Sequence, residues 1–329
     1  MIIRYTSRNN LLAVVAGLFL LSCLLLSFSP EKANAAAQPE IRVDGENIQL
    51  SAPVLHRDGR LYVPASSIAE EFGAAASWDG KNEELTIQTQ AKDTVILGNE
   101  LPVVYLSEER LVMDAVPFLS GGRLYAPLRE LTELLHGQMH FDADAEIAHL
   151  TRLKPEQVST DNGLDAISQA YGISRQELLR RNGLDGKGEP EHGSVLKVVI
   201  PSFYDRVAKP YTEAEHELLA KITMVEAGHE SYEGQLAIAN VILNRVAHSQ
   251  FPDSIRSVIY SGKQFPPAHN GLLDRSKPHT SALKAAKDAL NGRNNVPGAV
   301  YFYNPKVTKG SFWSGLTTVK TIGNHRFAK

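Results

Sequence analysis

The stretch TEAEHELLAKITMVEAGHESYEGQLAIANVILNRV, residues 212–246, decides how the C-terminal part of the chain is built. Thr212 stands three residues before Glu215, the spacing of a capping box that starts a helix. Leu218, Leu219, Ile222 and Val225 then recur at i, i+1, i+4 and i+7. That spacing predicts a helix with one face on a core, ending at Gly228. A second helix is predicted over Tyr232–Val246. Its middle, Leu236 to Leu243, is apolar nearly all round, so it is expected to be the buried centre of its domain. Asn244 and Arg245 emerge at its far end.

Glu226 is out of place in this pattern. It lies in the last turn of an apolar helix, next to a core position. The negative end of the helix dipole disfavours a carboxylate there, and burial disfavours any charge. Glu230 and Glu233 are expected to push the same way. A glutamic acid that keeps its proton near neutral pH is what protonation of a glycosidic oxygen requires. By pattern alone, a solvated helix end accounts for the same residue.

Residues 203–212, upstream of these helices, read as a linker. Residues 156–202 read as a small unit of two short helices between two strands: Leu164, Ile167 and Tyr171 share one helical face, and Gly183 ends the second helix. Residues 40–152 contain an internal repeat. Gly59-Arg60-Leu61-Tyr62-Val63-Pro64 returns as Gly122-Arg123-Leu124-Tyr125-Ala126-Pro127, and Trp78-Asp79 as Phe141-Asp142, both at an offset of 63. Each copy reads strand, helix, strand, with proline placed for the first helical turn.

The chain start, 1–35, reads as an export signal: Arg4 and Arg8, an apolar run from Leu11 to Phe28, and Ala33-Asn34-Ala35 as a cleavage site. An uncleaved membrane anchor is the alternative reading, and the only route by which the chain would meet a membrane. Cys23, the single cysteine, falls in this segment. The exported part therefore offers no disulfide, cysteine nucleophile or thiolate metal site. A chain of 329 residues, 43% hydrophobic and 22% charged, suits about two or three globular domains. Residues 36–212 hold 17 Lys+Arg against 27 Asp+Glu, net −10, whereas 213–329 hold 14 against 9, net +5. A basic terminal domain outside the cell suits an anionic wall polymer, although solubility charge explains the sign as well. Nucleic acid is not expected, because no basic cluster with interleaved aromatics is present.

Three resemblances follow from these motifs. The repeat, with its Leu-Tyr-x-Pro and aromatic-Asp signatures, resembles the stalk domain named after the N-terminal domain of copper amine oxidases; this implies a spacer or binding module, and it does not imply copper, since no histidine cluster is evident in the sequence. Tyr171-Gly172-Ile173-Ser174, Leu178 to Leu184 and Gly193 to Pro201 resemble the LysM module, a βααβ fold that grips N-acetylglucosamine-containing glycans, with a less regular first strand. Glu226 to Gln235 and Ala237 to Val246 resemble the SleB-type, spore cortex-lytic cell-wall hydrolases. So do Phe251-Pro252, Ser257 to Tyr260, Gln264-Phe265, Ala289 to Gly292, Tyr301 to Asn304 and Ile322 to Phe327. The whole is thus expected to be a multidomain α+β chain: a duplicated α/β stalk, a LysM-like unit and, over 213–329, a mostly α-helical, lysozyme-like catalytic domain.

This last resemblance implies peptidoglycan as partner and a lytic transglycosylase route without metal or cofactor, with Glu226 as the catalytic acid. One departure is that Gly228-His229 stands where the family usually has Arg-Gly. Tyr301 and Tyr303 alternate as in a strand and are candidates for a sugar groove, or for core packing. Gln264 and Phe265, before Pro266-Pro267, are candidates to flank the cleft, and His325 is a candidate polar contact or a structural histidine. Trp313 is expected either to stack on a sugar or to pack. Competing readings are a water-activating hydrolase using Glu233 or Asp274, a non-enzymatic wall-binding protein, and a metallopeptidase built on His229, His248, His269, His279 and His325. The spacing Glu226-x-x-His229 fits zinc poorly.

Overall fold

The computed structural model describes residues 38–184, 188–262 and 264–329. Residues 1–35, read above as an export signal, and Cys23 within them lie outside the described residues. Among the described residues no helix is long and apolar enough to cross a membrane. Residues 40–329 form one compact unit.

Two β-hairpins with equivalent sequences recur in residues 40–152: Leu55–Arg57 with Arg60–Pro64, and Phe118–Ser120 with Arg123–Pro127. Their turns have both central residues at positive φ, Asp58 and Gly59 at 50° and 73°, Gly121 and Gly122 at 54° and 74°. This is the type I′ geometry that matches strand twist and favours glycine at the second position. The two Arg-Leu-Tyr strands pair antiparallel, with Val63 opposite Ala126. Equivalent residues of the repeat therefore meet at the centre of the pairing. Each strand runs into a helix, α1 (Ala65–Glu71) or α2 (Leu128–Leu134). Pro64 and Pro127 are the N-cap residues of these helices, one position earlier than the first helical turn. Their fixed φ turns the strand into the helix.

The aromatic-Asp signature has a local cause. Asp79 accepts from the backbone N–H of Lys81 (2.9 Å) and Asn82 (3.2 Å), and Asp142 from those of Asp144 and Ala145 (both 3.0 Å). Each aspartate thus builds the turn of its hairpin. The copies then diverge. Ala75–Asp79 and Glu84–Gln88 continue into a five-stranded antiparallel sheet ending at Glu109–Val112. Gly137–Asp142 and Ile147–Arg152 instead join Glu40–Val43, which runs parallel to the latter.

In residues 156–202, Glu156–Gln157 pairs antiparallel with Val195–Leu196 around α3 (Leu164–Tyr171) and α4 (Arg175–Arg181). Leu164, Ile167, Leu178 and Leu196 form their own small core. A buried ionic node ties this unit to the stalk: Asp93, fully buried, is paired with Arg181 and Lys197. Residues 203–212 are not a free linker. Phe203 and Tyr204 are buried in the stalk core. Ala208 N donates to Arg110 O and Val112 N to Arg206 O, both at 2.8 Å, so this segment runs along the edge of the sheet.

The C-terminal domain packs α5 (Glu213–Ala227) and α9 (Thr280–Leu290) against α6 (Tyr232–Val246). Leu236 to Ile242 of α6 are all buried, so the expected central helix is central. Short helices α7 (Ile255–Tyr260), α8 (Leu272–Arg275) and α10 (Ser311–Gly315) surround them. A three-stranded sheet completes the domain, Tyr301–Tyr303 and Thr318–Ile322 flanking His325–Ala328. The basic excess of this domain partly faces the acidic stalk. Lys287 reaches Glu84 at 2.7 Å and Arg293 reaches Glu100 at 2.5 Å. Across the same seam, Arg110 of the stalk donates to Leu290 O and Asn291 Oδ1, both at 2.9 Å. Some of the charge asymmetry is therefore internal complementarity, with no wall polymer required.

Candidate functional site

Helix α5 aims the candidate acid. Thr212 Oγ1 accepts from Glu215 N (3.2 Å) while Glu215 accepts from Thr212 N (2.8 Å), the reciprocal cap expected from sequence. Leu219 and Ile222 anchor the helix in the core, so its register carries Glu226 to the last turn. The chain leaves through Gly228, where an added Cβ would lie 2.4 Å from Met224 O. Gly228 O is held at 3.2 Å by His279 Nε2. Because Nδ1 of His279 accepts from Ala282 N at 3.1 Å, Nε2 carries the proton and donates. The exit from the Glu226 turn is thereby pinned to the start of α9.

Glu226 is half-buried, and among the described residues no hydrogen bond or ion pair engages its carboxyl group. Burial alone pushes its pKa up. Glu230 and Glu233 do not contribute, contrary to expectation, because both are turned to other partners. Glu233 accepts from Asn295 Nδ2 (2.8 Å) near Arg293. Glu230 accepts from Asn324 Nδ2 (3.0 Å) and lies 3.7 Å from His325 Nδ1. Asp274 is exposed on α8 and His229 is exposed just past the turn.

The other candidates divide. Tyr301 and Tyr303 share one side of their strand. Tyr303 is 7% exposed, packs on Trp313 (5.0 Å between rings) and donates its hydroxyl to Trp313 O at 3.1 Å. Tyr301 is half-buried, edge-on to Phe251 and Phe312. Phe312 is 55% exposed, so this cluster reaches the surface. Phe265 corrects the sequence reading: it is 1% exposed, stacked 6.3 Å from Phe302 and beneath the Arg245 guanidinium. It is a core residue, because the rigid Pro266–Ala268 turn drives its ring inward rather than toward a cleft. Gln264 beside it is exposed. His325 is half-buried against Phe302 and Phe327, and burial lowers its pKa while Glu230 opposes this.

Sequence reasoning passed over the clasp on Glu230. Gly323, at φ 57°, would place a Cβ 1.9 Å from Glu230 Oε2. Only glycine admits the carboxylate so close. The sequence signal for it is Gly323-Asn324-His325, a glycine-asparagine turn within the Ile322 to Phe327 stretch. The five histidines named for a metal are not gathered, and no group of three or more His, Cys, Asp or Glu able to hold an ion is found among the described residues.

Residues 229–328 match the cell wall hydrolase family. The C-terminal domain belongs to that family. Its match begins three residues after Glu226, at His229. Residues 42–150 match the copper amine oxidase N-terminal domain. The spore cortex-lytic enzyme of Oceanobacillus iheyensis is 36% identical to this chain over 148 residues, 45% of this chain and 50% of that protein. That of Bacillus subtilis is 35% identical over 119 residues, 36% of this chain and 39% of that protein. The chain thus spans between about a third and a half of these relatives' lengths. The solved catalytic domain of the germination-specific lytic transglycosylase SleB from Bacillus anthracis is 32% identical, with a TM-score of 0.35, over 37% of this chain and 98% of that one.

Proposed function

We propose that the hydrolase domain cleaves the MurNAc–GlcNAc bond of peptidoglycan as a lytic transglycosylase, with Glu226 as its single catalytic carboxyl group. The observation that carries this reading is the lone, half-buried Glu226 carboxyl, whose pKa is raised by burial and by nothing else. A protonated acid donates to the glycosidic oxygen as the C1–O bond breaks. The resulting carboxylate then takes the proton from the C6 hydroxyl of the same sugar. That oxygen bonds to C1 and leaves a 1,6-anhydro end, with no water consumed. Ordinary glycosidases need a second carboxylate to activate water or form a covalent intermediate. Here Glu233 is held by Asn295 and Asp274 is exposed, which favours the one-carboxylate route. The names of the relatives support spore cortex as substrate and an extracytoplasmic site of action. The exposed edge of the Tyr301–Phe312 cluster suits stacking on a sugar face.

The stalk and the LysM-like unit serve in this reading to hold the enzyme on its polymer, with export by the N-terminal segment. Digestion of purified cortex and vegetative peptidoglycan, with masses of the released muropeptides, tests the chemistry. Products one water lighter than hydrolysed ones are expected, more abundant from cortex. Fully hydrated ends would replace the transglycosylase with a hydrolase.

A further inference from the structure

With no partner for the Glu226 carboxyl group among the described residues, the backbone beneath it sets its place. That backbone turns abruptly: α5 ends at Ala227, α6 starts at Tyr232, and Gly228 to Ser231 lie between. The last carbonyl groups of a helix find no partner within it. Here the start of α9 takes hold of the turn at two points. His279 Nε2 donates to Gly228 O at 3.2 Å. Ser281 Oγ donates to Gln235 Oε1 at 2.8 Å, and Gln235 Nε2 donates in turn to Glu230 O at 2.9 Å. The second hold is braced inside the domain, since Gln235 is buried. The first, nearer to Glu226, rests on one side chain.

His279 performs two tasks with two ring atoms. Nδ1 accepts from Ala282 N at 3.1 Å, which makes His279 the N-cap of α9. Nε2, the far atom of the ring, reaches across to the end of α5. Capping by itself does not call for histidine, because the shorter Ser, Thr, Asp and Asn are the favoured cap residues. Spanning from the α9 cap to Gly228 does call for it: an acceptor close to the main chain and a donor farther out on one rigid ring.

We propose that His279 is a positioning residue for Glu226: its Nε2–H holds Gly228 O, and with it the last turn of α5, where the Glu226 carboxyl stays half-buried. The inference rests on Glu226 being the catalytic acid. Once the bond is lost, the turn relaxes toward water and the carboxyl becomes hydrated. Its pKa then falls toward the ordinary glutamate value, and its proton leaves at lower pH. A displacement of about 1 Å is enough to slow an enzyme by about 10²-fold.

Two substitutions separate the two tasks. His279→Asn keeps an acceptor where Nδ1 stands and is a favoured cap, but its amide falls short of Gly228 O. His279→Gln carries an amide N–H out to where Nε2 stands and is not among the favoured caps. Cleavage of soluble glycan strands, the pH profile of kcat and thermal unfolding are measured on the full chain. His279→Asn should unfold at the wild-type temperature, with KM unchanged and kcat lowered by about tenfold or more. The alkaline limb of its kcat profile, where the general acid ionises, should move to lower pH. His279→Gln should unfold at a lower temperature yet keep the wild-type kcat and alkaline limb. A wild-type kcat and pH profile in His279→Asn would overturn the inference, and so would an equal loss of kcat in both variants. Glu226→Gln, assayed beside them, separates the two readings. If it stays active, the acid assignment falls and the positioning role with it. If it is inactive while His279→Asn is unimpaired, the positioning role falls and the acid assignment stands.

Discussion

Asp93 and Glu226 are both carboxylates drawn away from water, one in the stalk and one in the hydrolase domain, and their surroundings treat them in opposite ways. Asp93 is fully buried, yet Arg181 and Lys197 meet it, and together they outweigh the burial and hold its pKa below the ordinary range. Glu226 is only half-buried, but no described residue hydrogen-bonds or pairs with its carboxyl group, and burial moves its pKa up. The partner, more than the depth, decides whether a hidden acid is a structural tie or a proton donor. Glu230 is held in a third way: the Gly323-Asn324 turn clasps it, with Asn324 Nδ2 donating at 3.0 Å.

Replacing Glu226 by Gln should show the largest effect, a fall of about 10²–10⁴-fold in the rate of wall lysis, the usual contribution of a general acid. Turbidity loss of purified sacculi measures it. Stability should not fall at neutral pH. A carboxyl whose pKa is raised by folding weakens the fold as pH rises through that range, and Gln removes the penalty. The opposite is expected at Asp93. Asp93→Ala strands Arg181 beneath the surface and should cost about 3–5 kcal/mol in chemical unfolding with no direct effect on catalysis. Its folded pKa is depressed, so its contribution is present above the unfolded value near ~3.9 and disappears as pH falls through the folded one. The difference in stability between wild type and Asp93→Ala should therefore shrink only in strong acid. Gly323→Ala should have the smallest effect, about 1–3 kcal/mol, from a strained positive φ and displacement of Glu230. If Asp93→Ala were as stable as the wild type, or Glu226→Gln as active, the contrast would collapse.

Much of this contrast was legible beforehand, and its gaps have physical causes. The capped helix from Thr212 and the central Tyr232–Val246 helix were readable because cap spacing and apolar periodicity are local signals. Glu226 stood out by its place in that pattern. What it lacks, a partner, was not readable: Glu230 and Glu233 are close in sequence, but Asn324 and Asn295, distant in the chain, turn them away. Phe265 misled for a related reason, since an aromatic before two prolines looks the same whether its ring turns in or out. The tether from Arg181 to Asp93 spans 88 positions and leaves no periodic trace. The segment after Phe203 looked like a linker because its edge-strand hydrogen bonds are backbone groups, which composition does not reveal.

The central claim is that burial, with no partner for its charge among the described residues, raises the Glu226 pKa above that of an ordinary glutamate. Carbon-13 NMR titration of side-chain-labelled glutamate, with the Glu226 resonance assigned by its loss in Glu226→Gln, measures this directly. A midpoint clearly above the ordinary glutamate value of about 4.3 is expected. A midpoint at or below that value would mean the carboxyl is ionised wherever the enzyme works, and Glu226 would not be its proton donor.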